Sequence, residues 1–251
     1  HTLHTLHTLH TLHTLHTLNK TIIQAAQGPK DGGDRRFDKA KHDPATFFKF
    51  WTIQGLWVFI TLIPAITLNT SRRNPALSYR DYLGWVVWGL GFLLELVADM
   101  QKSIFKSNPA NEGKFIQSGL WSVSRHPNYF GEICLWFGVY ITCSSVFRRW
   151  QYLTVASPVM VMVLITRISG IPLLEAAGQR RWGASAEYQK YLEDTPVLVP
   201  FIKSRLLAAG WQGIHPSNAF DLLAMLEDEV VSHMHNSDGP WIGQIDIKEY
   251  L

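Results

Sequence analysis

The sequence predicts an all-α, multi-pass transmembrane helix bundle of about four spans, with cytosolic loops and a soluble C-terminal tail. Charged residues make up 17% of the 251 residues, against about 25% in an average soluble domain. Four long apolar segments occupy the middle of the chain, and the polar residues concentrate toward its two ends. A bilayer core requires roughly 20 apolar residues per helix, and each of the four segments approaches that length.

The first 46 residues are predicted to lie outside the bundle. Residues 1–18 repeat His-Thr-Leu six times, and a period of three cannot keep the leucines on one face of a helix. We interpret them as a low-complexity tract without a packed core, and we predict no metal site there. Residues 19–46 form a polar linker that leads to a helix start, where Asp43 can cap the helix and Pro44 fits its first turn.

Residues 47–203 are assigned to the membrane domain. Its four apolar segments are residues 47–68, 82–98, 129–147 and 150–172, the last of them interrupted by Arg167. They are apolar around their whole circumference, whereas a helix of a soluble bundle keeps one polar face. Aromatic residues near the segment ends are typical of membrane-interface anchors. These are Trp51, Tyr79, Tyr82, Tyr129, Trp150 and Tyr152.

Basic residues are more numerous in the loops on one side of the predicted bundle than on the other. The excess predicts that this side and the C-terminus face the cytosol. Residues 204–251 are predicted to be a soluble tail with an amphipathic helix at 217–231, for which Ser217 is the cap. The formal net charge of +3 is too small to indicate a nucleic-acid partner.

The two cysteines are predicted to be unpaired. Cys134 and Cys143 belong to one apolar segment. On a helix this separation corresponds to roughly 13 Å, whereas a disulfide requires Cα atoms within about 7 Å.

Ionisable residues from three segments are expected at one membrane face. They are Glu95 and Asp99 of the second segment, His126 and Glu132 at the third, and Arg167 and Glu175 toward the end of the fourth. A charge inside the bilayer costs at least about 2.5 kcal/mol, so it is normally paired, hydrated or functional. We therefore predict a polar pocket that opens to the cytosol, in preference to purely structural ion pairs.

Residues 119–132, GLWSVSRHPNYFGE, form the densest motif. Pro127 disfavours a helical conformation at the preceding residue, so Arg125 and His126 are expected on a bend before the third segment. A guanidinium, an imidazole and the free amides of a helix start together suit an anionic group such as phosphate.

Three residues of the same motif are expected on the helix itself. Tyr129 and Glu132 are three residues apart and therefore share one helix face. Gly131 lies between them and permits close approach of another chain or a flat ligand.

The RHPNYFGE run, followed by a membrane helix, resembles the signature of the steroid 5α-reductase and sterol reductase superfamily. The closest likeness is to its short, mostly uncharacterised multi-pass members, and it covers residues 34–203. Further matching motifs are RRFDKA at 35–40, ADMQK at 98–102, LLE at 173–175, RWG at 181–183, EYQKY at 187–191 and TPVLVP at 195–200.

The resemblance implies a membrane reductase of the endoplasmic reticulum that uses NADPH to reduce a carbon–carbon double bond in a steroid or other lipid. It implies that the dinucleotide is lined by Arg125, His126, Asn128, Tyr129 and Glu132, with Asp99, Gln101 and Lys102 nearby. It implies that the adenine and phosphate end is held by Glu175, Arg180, Arg181, Tyr188 and Tyr191. Catalytic residues, including the proton donor, stay unassigned.

Two alternatives remain open. Isoprenylcysteine and phospholipid methyltransferases, which use S-adenosylmethionine, share this architecture and a similar Arg-His-Pro-x-Tyr-x-Gly run. Asn128, Glu132 and the Arg-Trp-Gly motif before Tyr188 favour the reductase branch. The other alternative is an inactive fragment, because the repeat tract stands where relatives have additional membrane helices.

Overall fold

The structure, a computed structural model, describes residues 43–202, which form helices and connecting loops without a β-strand in that range. The helices are α1 (Pro44–Thr70), α2 (Tyr79–Ser107), α3 (Pro127–Cys143), α4 (Ala156–Val163), α5 (Ile171–Trp182) and α6 (Ala186–Asp194). Short 3-10 turns are formed by Pro109–Asn111, Gly119–Ser122, Ser144–Val146 and Arg149–Val155. The repeat tract, residues 19–42 of the linker and the tail, including the amphipathic helix predicted there, lie outside the described residues.

Within residues 43–202, four stretches are long and apolar enough to cross a membrane. They are Phe47–Thr70, Tyr79–Ser107, Pro127–Val146 and Arg149–Trp182. Large apolar side chains such as Phe48, Leu90 and Ile104 are exposed on the outside of the bundle. Such exposure is unfavourable in water and suits contact with lipid tails. The prediction of an all-α multi-pass bundle is confirmed, and the chain is an integral membrane protein.

The predicted start of the first helix is confirmed in detail. The amide of Ala45 donates a hydrogen bond of 3.1 Å to Oδ1 of Asp43, and Pro44 is the first helical residue. The second helix is longer than the predicted 82–98, because its polar first and last turns also stay helical. Its start is stabilised by Asp81, whose Oδ2 accepts from the backbone amide of Ser78 at 2.8 Å.

Helices α2 and α3 touch backbone to backbone. A Cβ atom added to Gly91 would lie 2.7 Å from the carbonyl oxygen of Gly131, and one added to Gly131 would lie 2.6 Å from that of Gly91. Two turns further along α3, a Cβ atom on Gly138 would lie 2.6 Å from the amide nitrogen of Trp88. Small residues are what allow membrane helices to approach this closely. The close approach that was predicted at Gly131 is therefore made by helix α2.

The fourth span, predicted over 150–172 with an interruption at Arg167, is indeed broken in that region. A π-helical turn at Leu164–Ile168 follows α4 and includes Arg167, and the amide of Ser169 donates to the carbonyl of Leu164 at 2.9 Å. Gly170 then adopts φ −97° and ψ −95°, and α5 begins at the next residue. Arg167 marks the position of the break, but the other interrupting residues are mostly as apolar as their neighbours, so hydropathy does not reveal the change in backbone conformation.

Both cysteines are free, as predicted, and Cys143 is buried. It lies in an apolar cluster with Leu68, Val146 and Phe147. This cluster joins α1 to the end of α3, so it stabilises the end of the bundle opposite His126.

Candidate functional site

The bend before α3 is fixed by the segment that follows α6. The amide of Arg125 donates to the carbonyl of Pro196 at 2.8 Å, and the hydroxyl of Ser124 donates to the carbonyl of Leu198 at 2.7 Å. His126 has φ −138° and ψ 60° and helix α3 begins at Pro127, so the predicted bend is confirmed. These contacts orient the side chains of Arg125 and His126 toward the interior of the bundle at this end.

Glu175 of α5 joins those two side chains. Its Oε2 lies 2.7 Å from Nη1 of Arg125, and its Oε1 lies 2.7 Å from Nε2 of His126. All three groups are largely buried, and Glu175 is the most exposed, at 22%. A carboxylate that accepts from a guanidinium carries no proton. His126 therefore donates from Nε2, which leaves its Nδ1 as an acceptor.

Burial lowers the pKa of His126 below its usual range, and its hydrogen bond to Glu175 opposes the shift only in part. Desolvation disfavours the charged imidazolium, and the neighbouring charge of Arg125 acts in the same direction. His126 is therefore neutral at pH 7, consistent with the tautomer that the hydrogen bonds select.

Helix α2 supplies the opposite wall of this cluster. Nδ2 of Asn128 donates to Oδ1 of Asp99 at 3.0 Å. Nζ of Lys102 lies 5.1 Å from the ring centre of Trp121. Oε1 of Gln101 accepts from the amide of Leu120 at 2.9 Å, so this side chain holds the loop before the bend.

Three buried polar atoms at the start of α3 have no hydrogen-bond partner among the described residues. They are Nε of Arg125, Nδ1 of His126 and Oδ1 of Asn128. A buried polar atom that lacks a partner costs about 1–3 kcal/mol. One donor and two acceptors are thus available within four residues for a polar ligand or for water.

Tyr129 takes part in this cluster. Its ring lies on the imidazole of His126, with 5.7 Å between ring centres and 18° between planes. The other predicted interface anchors, such as Tyr79 and Trp150, are exposed at the opposite end of the bundle or along its outside. Glu132, one turn further along α3, accepts from Nε1 of Trp136 at 3.3 Å.

Tyr188 and Tyr191 belong to an aromatic unit beside the cluster. The ring centre of Phe115 lies 5.0 Å from that of Tyr188 and 5.5 Å from that of Tyr191, and Trp182 packs against Tyr188 at 5.7 Å. Burial raises the pKa of Tyr188 to about 12. The Tyr191 hydroxyl donates to the carbonyl of Trp121 at 2.7 Å. These rings connect α5 and α6 to the loop, and their contact with a cofactor stays a prediction.

Arg180 and Arg181 lie at the exposed end of α5. The guanidinium of Arg181 lies 5.1 Å from the ring centre of Trp182. Among residues 43–202, no group of three or more His, Cys, Asp or Glu side chains could hold a metal ion.

The structure brings nine of the thirteen predicted site residues to the C-terminal part of α2, the bend, the first turns of α3 and the first half of α5, whereas Arg180 lies at the exposed end of α5. The aromatic unit contains Tyr188 and Tyr191, and Arg181 lies at its edge. Sequence reasoning missed Ser124, Phe115 and Trp121. Trp121 and Ser124 belong to the motif at 119–132, but the roles of all three residues depend on backbone carbonyls and ring packing that a sequence does not display.

Fold and site thus define an integral membrane protein with a buried polar cluster at one end of its helices. The family described as "Protein of unknown function (DUF1295)" matches residues 3–195, and the chain belongs to it. This family is part of the steroid 5α-reductase-like group, which agrees with the resemblance noted in the sequence.

Two curated relatives differ in the chemistry that their names describe. The "Probable O-methyltransferase ustE" of Ustilaginoidea virens is 28% identical over 119 residues, which cover 43% of this chain and 42% of the relative. The "Delta(14)-sterol reductase" of Arabidopsis thaliana is 29% identical over 114 residues, which cover 40% of this chain and 26% of the relative. The chain spans less than half the length of either relative. No solved structure matches it.

Proposed function

We propose that the protein is an NADPH-dependent membrane reductase of a carbon–carbon double bond in a steroid or other lipid. The observation that supports this proposal most directly is the set of buried polar atoms on Arg125, His126 and Asn128 that have no hydrogen-bond partner among the described residues, at one end of a lipid-facing bundle. The sterol reductase relative and the steroid 5α-reductase-like family support this assignment.

The residues present fit a dinucleotide. Nε of Arg125 and the first amides of α3 would hold phosphate oxygens. Nδ1 of His126 and Oδ1 of Asn128 would accept hydrogen bonds from hydroxyl or amide groups. Lys102 and Arg181 add positive charge, and the paired rings of His126 and Tyr129 offer a flat surface. When bound, the cofactor supplies a hydride.

Glu175 has a positioning role in this proposal. It holds Arg125 and His126 through separate oxygens, so it fixes the guanidinium plane and the imidazole tautomer together. A phosphate group would share Arg125 with Glu175, because Nε and the remaining guanidinium nitrogens are available to it. A group fixed before binding loses less conformational entropy when the ligand arrives.

A second candidate is a methyltransferase that uses S-adenosylmethionine, and one observation favours it. The described cluster balances its charges, since Arg125 and Lys102 are accompanied by Glu175 and Asp99. A balanced site suits a nearly neutral methyl donor better than a polyanion. The O-methyltransferase relative points the same way.

Ligand binding by the full chain in detergent tests the two candidates. NADPH, NADH and S-adenosylmethionine are titrated separately against tryptophan fluorescence. We expect NADPH to bind most tightly and Arg125→Ala or His126→Ala to weaken it at least about tenfold, the loss of one charge-assisted hydrogen bond. Lys114→Ala, a change to an exposed lysine on the neighbouring loop, is the matched control. Selective binding of S-adenosylmethionine overturns the reductase proposal, and binding of neither ligand supports the inactive fragment.

We further propose that the cluster and the C-terminus face the cytosol in the endoplasmic reticulum, as the basic-residue excess predicts. An epitope tag on the C-terminus should be digested by protease added to sealed microsomes. Protection of the tag until detergent is added would reverse this orientation.

A further inference from the structure

The end of the bundle opposite His126 carries a group of exposed arginines. Arg72 follows α1, and Arg148 and Arg149 follow α3. All three are exposed, and none of their guanidinium groups forms an ion pair or hydrogen bond with the described residues. We call these three residues the arginine surface.

Two further arginines at this end have structural partners. Nη1 of Arg73 donates to the carbonyl of Val146 at 3.1 Å. Nη1 of Arg80 donates to the carbonyl of Ser144 at 3.2 Å and to the hydroxyl of Tyr152 at 2.8 Å. They satisfy carbonyl groups at the end of α3, where positive charge is favourable. The arginine surface makes no such contact, so helix capping does not account for it.

Negative charge is absent from the segments that form this end. Residues 71–80 and 144–155 contain five arginines and no Asp or Glu. Asp81 is the acidic residue next to them, but it is 2% exposed and is used by Ser78. The surface therefore presents uncompensated positive charge.

Exposed aromatic and apolar residues place the arginines at the level of the lipid head groups. Tyr79 and Trp150 are each 73% exposed, and Leu153 is 72% exposed. Tyrosine and tryptophan prefer the interface between the hydrocarbon core and water. Arg148 and Arg149 directly precede Trp150, and Arg72 lies in the loop that leads to Tyr79, so we expect lipid phosphate groups within their reach.

We infer that the arginine surface binds the phosphate groups of anionic phospholipids in the leaflet that it faces. Arginine is the side chain best suited to phosphate, because its planar group donates two parallel hydrogen bonds. An anionic lipid lacks the compensating ammonium of phosphatidylcholine and therefore complements an unpaired positive surface. This binding is separate from the proposed cofactor site, which lies at the other end of α3.

Native mass spectrometry of the full chain in a neutral detergent tests the inference. Mixed micelles deliver phosphatidylglycerol or phosphatidylcholine at equal concentration, and bound lipid is counted directly. We expect the protein to retain phosphatidylglycerol preferentially. Arg72→Gln, Arg148→Gln and Arg149→Gln together should lower that affinity on the order of a hundredfold, about fivefold for each arginine.

Matched controls keep the result specific. Lys114→Gln with Lys190→Gln removes exposed positive charge from the other end and should leave phosphatidylglycerol binding unchanged. Replacing the three arginines by lysine preserves the charge and should preserve the preference, which guards against misfolding of the glutamine variant. The inference is overturned if the triple glutamine variant binds phosphatidylglycerol as tightly as the unmodified protein. It is also overturned if the Lys114→Gln and Lys190→Gln variant loses as much affinity as the triple glutamine variant. Displacement of the lipid by inorganic phosphate at the same concentration would also overturn it, because the occupant would then be a free anion.

Discussion

The two ends of the α2–α3 pair handle positive charge in opposite ways. At one end, Arg125 is largely buried and shares the Glu175 carboxylate with His126. At the other end, Arg72, Arg148 and Arg149 are exposed and have no acidic partner among the described residues. A buried charge needs a partner because desolvation is costly, whereas an exposed charge remains hydrated and available to an outside ligand. The difference separates a site built to enclose a small polar molecule from a surface built to meet the membrane.

The largest effect on stability is expected at the backbone contact between α2 and α3, on which both ends of the pair depend. Gly131→Ala adds a Cβ atom that would lie 2.6 Å from the carbonyl oxygen of Gly91, so α2 and α3 must separate. We expect a loss of about 3 kcal/mol in the free energy of unfolding. Gly55→Ala in α1 has nothing within 4 Å of the added atom, and alanine's helix propensity should stabilise it by up to about 1 kcal/mol. Thermal unfolding in detergent measures both, and a shift of the same sign in the two variants would contradict the backbone contact.

A smaller effect is expected at the buried end alone. Glu175→Ala leaves Arg125 without its carboxylate and should destabilise the protein by about 2 kcal/mol, less than a fully buried pair because Glu175 is 22% exposed. Arg125→Leu combined with Glu175→Leu removes both charges and should restore most of that stability. Unfolding of the two variants is compared at neutral pH. If the double variant were the less stable one, the pair would not be acting through its charge.

The two ends should also differ in their response to pH. Because burial lowers the pKa of His126, the unfolded state takes up a proton before the folded state does. The free energy of unfolding therefore does not change with the protonation of His126 above about pH 6.5. Below that value it decreases as the pH falls, by up to about 1.4 kcal/mol per pH unit. Unfolding from pH 7.5 to 5 should show this slope, and His126→Gln should reduce it.

Arginine does not titrate in this range. Lipid binding by the arginine surface should therefore stay constant between pH 5 and 7.5. If lipid affinity fell together with the free energy of unfolding as the pH was lowered, general unfolding would explain the result better than titration of His126.

The smallest effect concerns the backbone of the exposed end. Arg149 has φ 44°, a left-handed conformation that costs a non-glycine residue about 1 kcal/mol. Arg149→Gly relieves this strain but increases the freedom of the unfolded chain, so we expect stability to change by less than about 1 kcal/mol. Phosphatidylglycerol binding should nevertheless weaken, because one guanidinium is lost. Unfolding and lipid titration of the same preparation separate the two effects.

Much of this arrangement was predictable from the sequence. Hydropathy predicted four spans, Asp43 and Pro44 predicted the start of α1, and the proline after His126 predicted the bend. Arg125 and Glu175 were expected at one face because alternating spans return the chain to the same side. Their direct contact was not predictable, since it depends on the break at Gly170, which sets where α5 begins.

Other features required three-dimensional contacts. Tyr129 follows the pattern of an interface anchor, yet its ring lies on His126 because both residues flank the first turn of α3. The short distance between α2 and α3 comes from glycines on two helices, and neither sequence segment alone reveals that they face each other.

Backbone contact between α2 and α3 also limits how a hydrophobic molecule dissolved in the bilayer can enter. Gly84 and Gly91 on one helix meet Gly138 and Gly131 on the other, so this seam has no gap wide enough for a ring or an acyl chain. The lipid substrate proposed above therefore cannot pass between α2 and α3 to reach the polar cluster. Cross-linkable lipid probes should accordingly spare the residues that line the glycine seam.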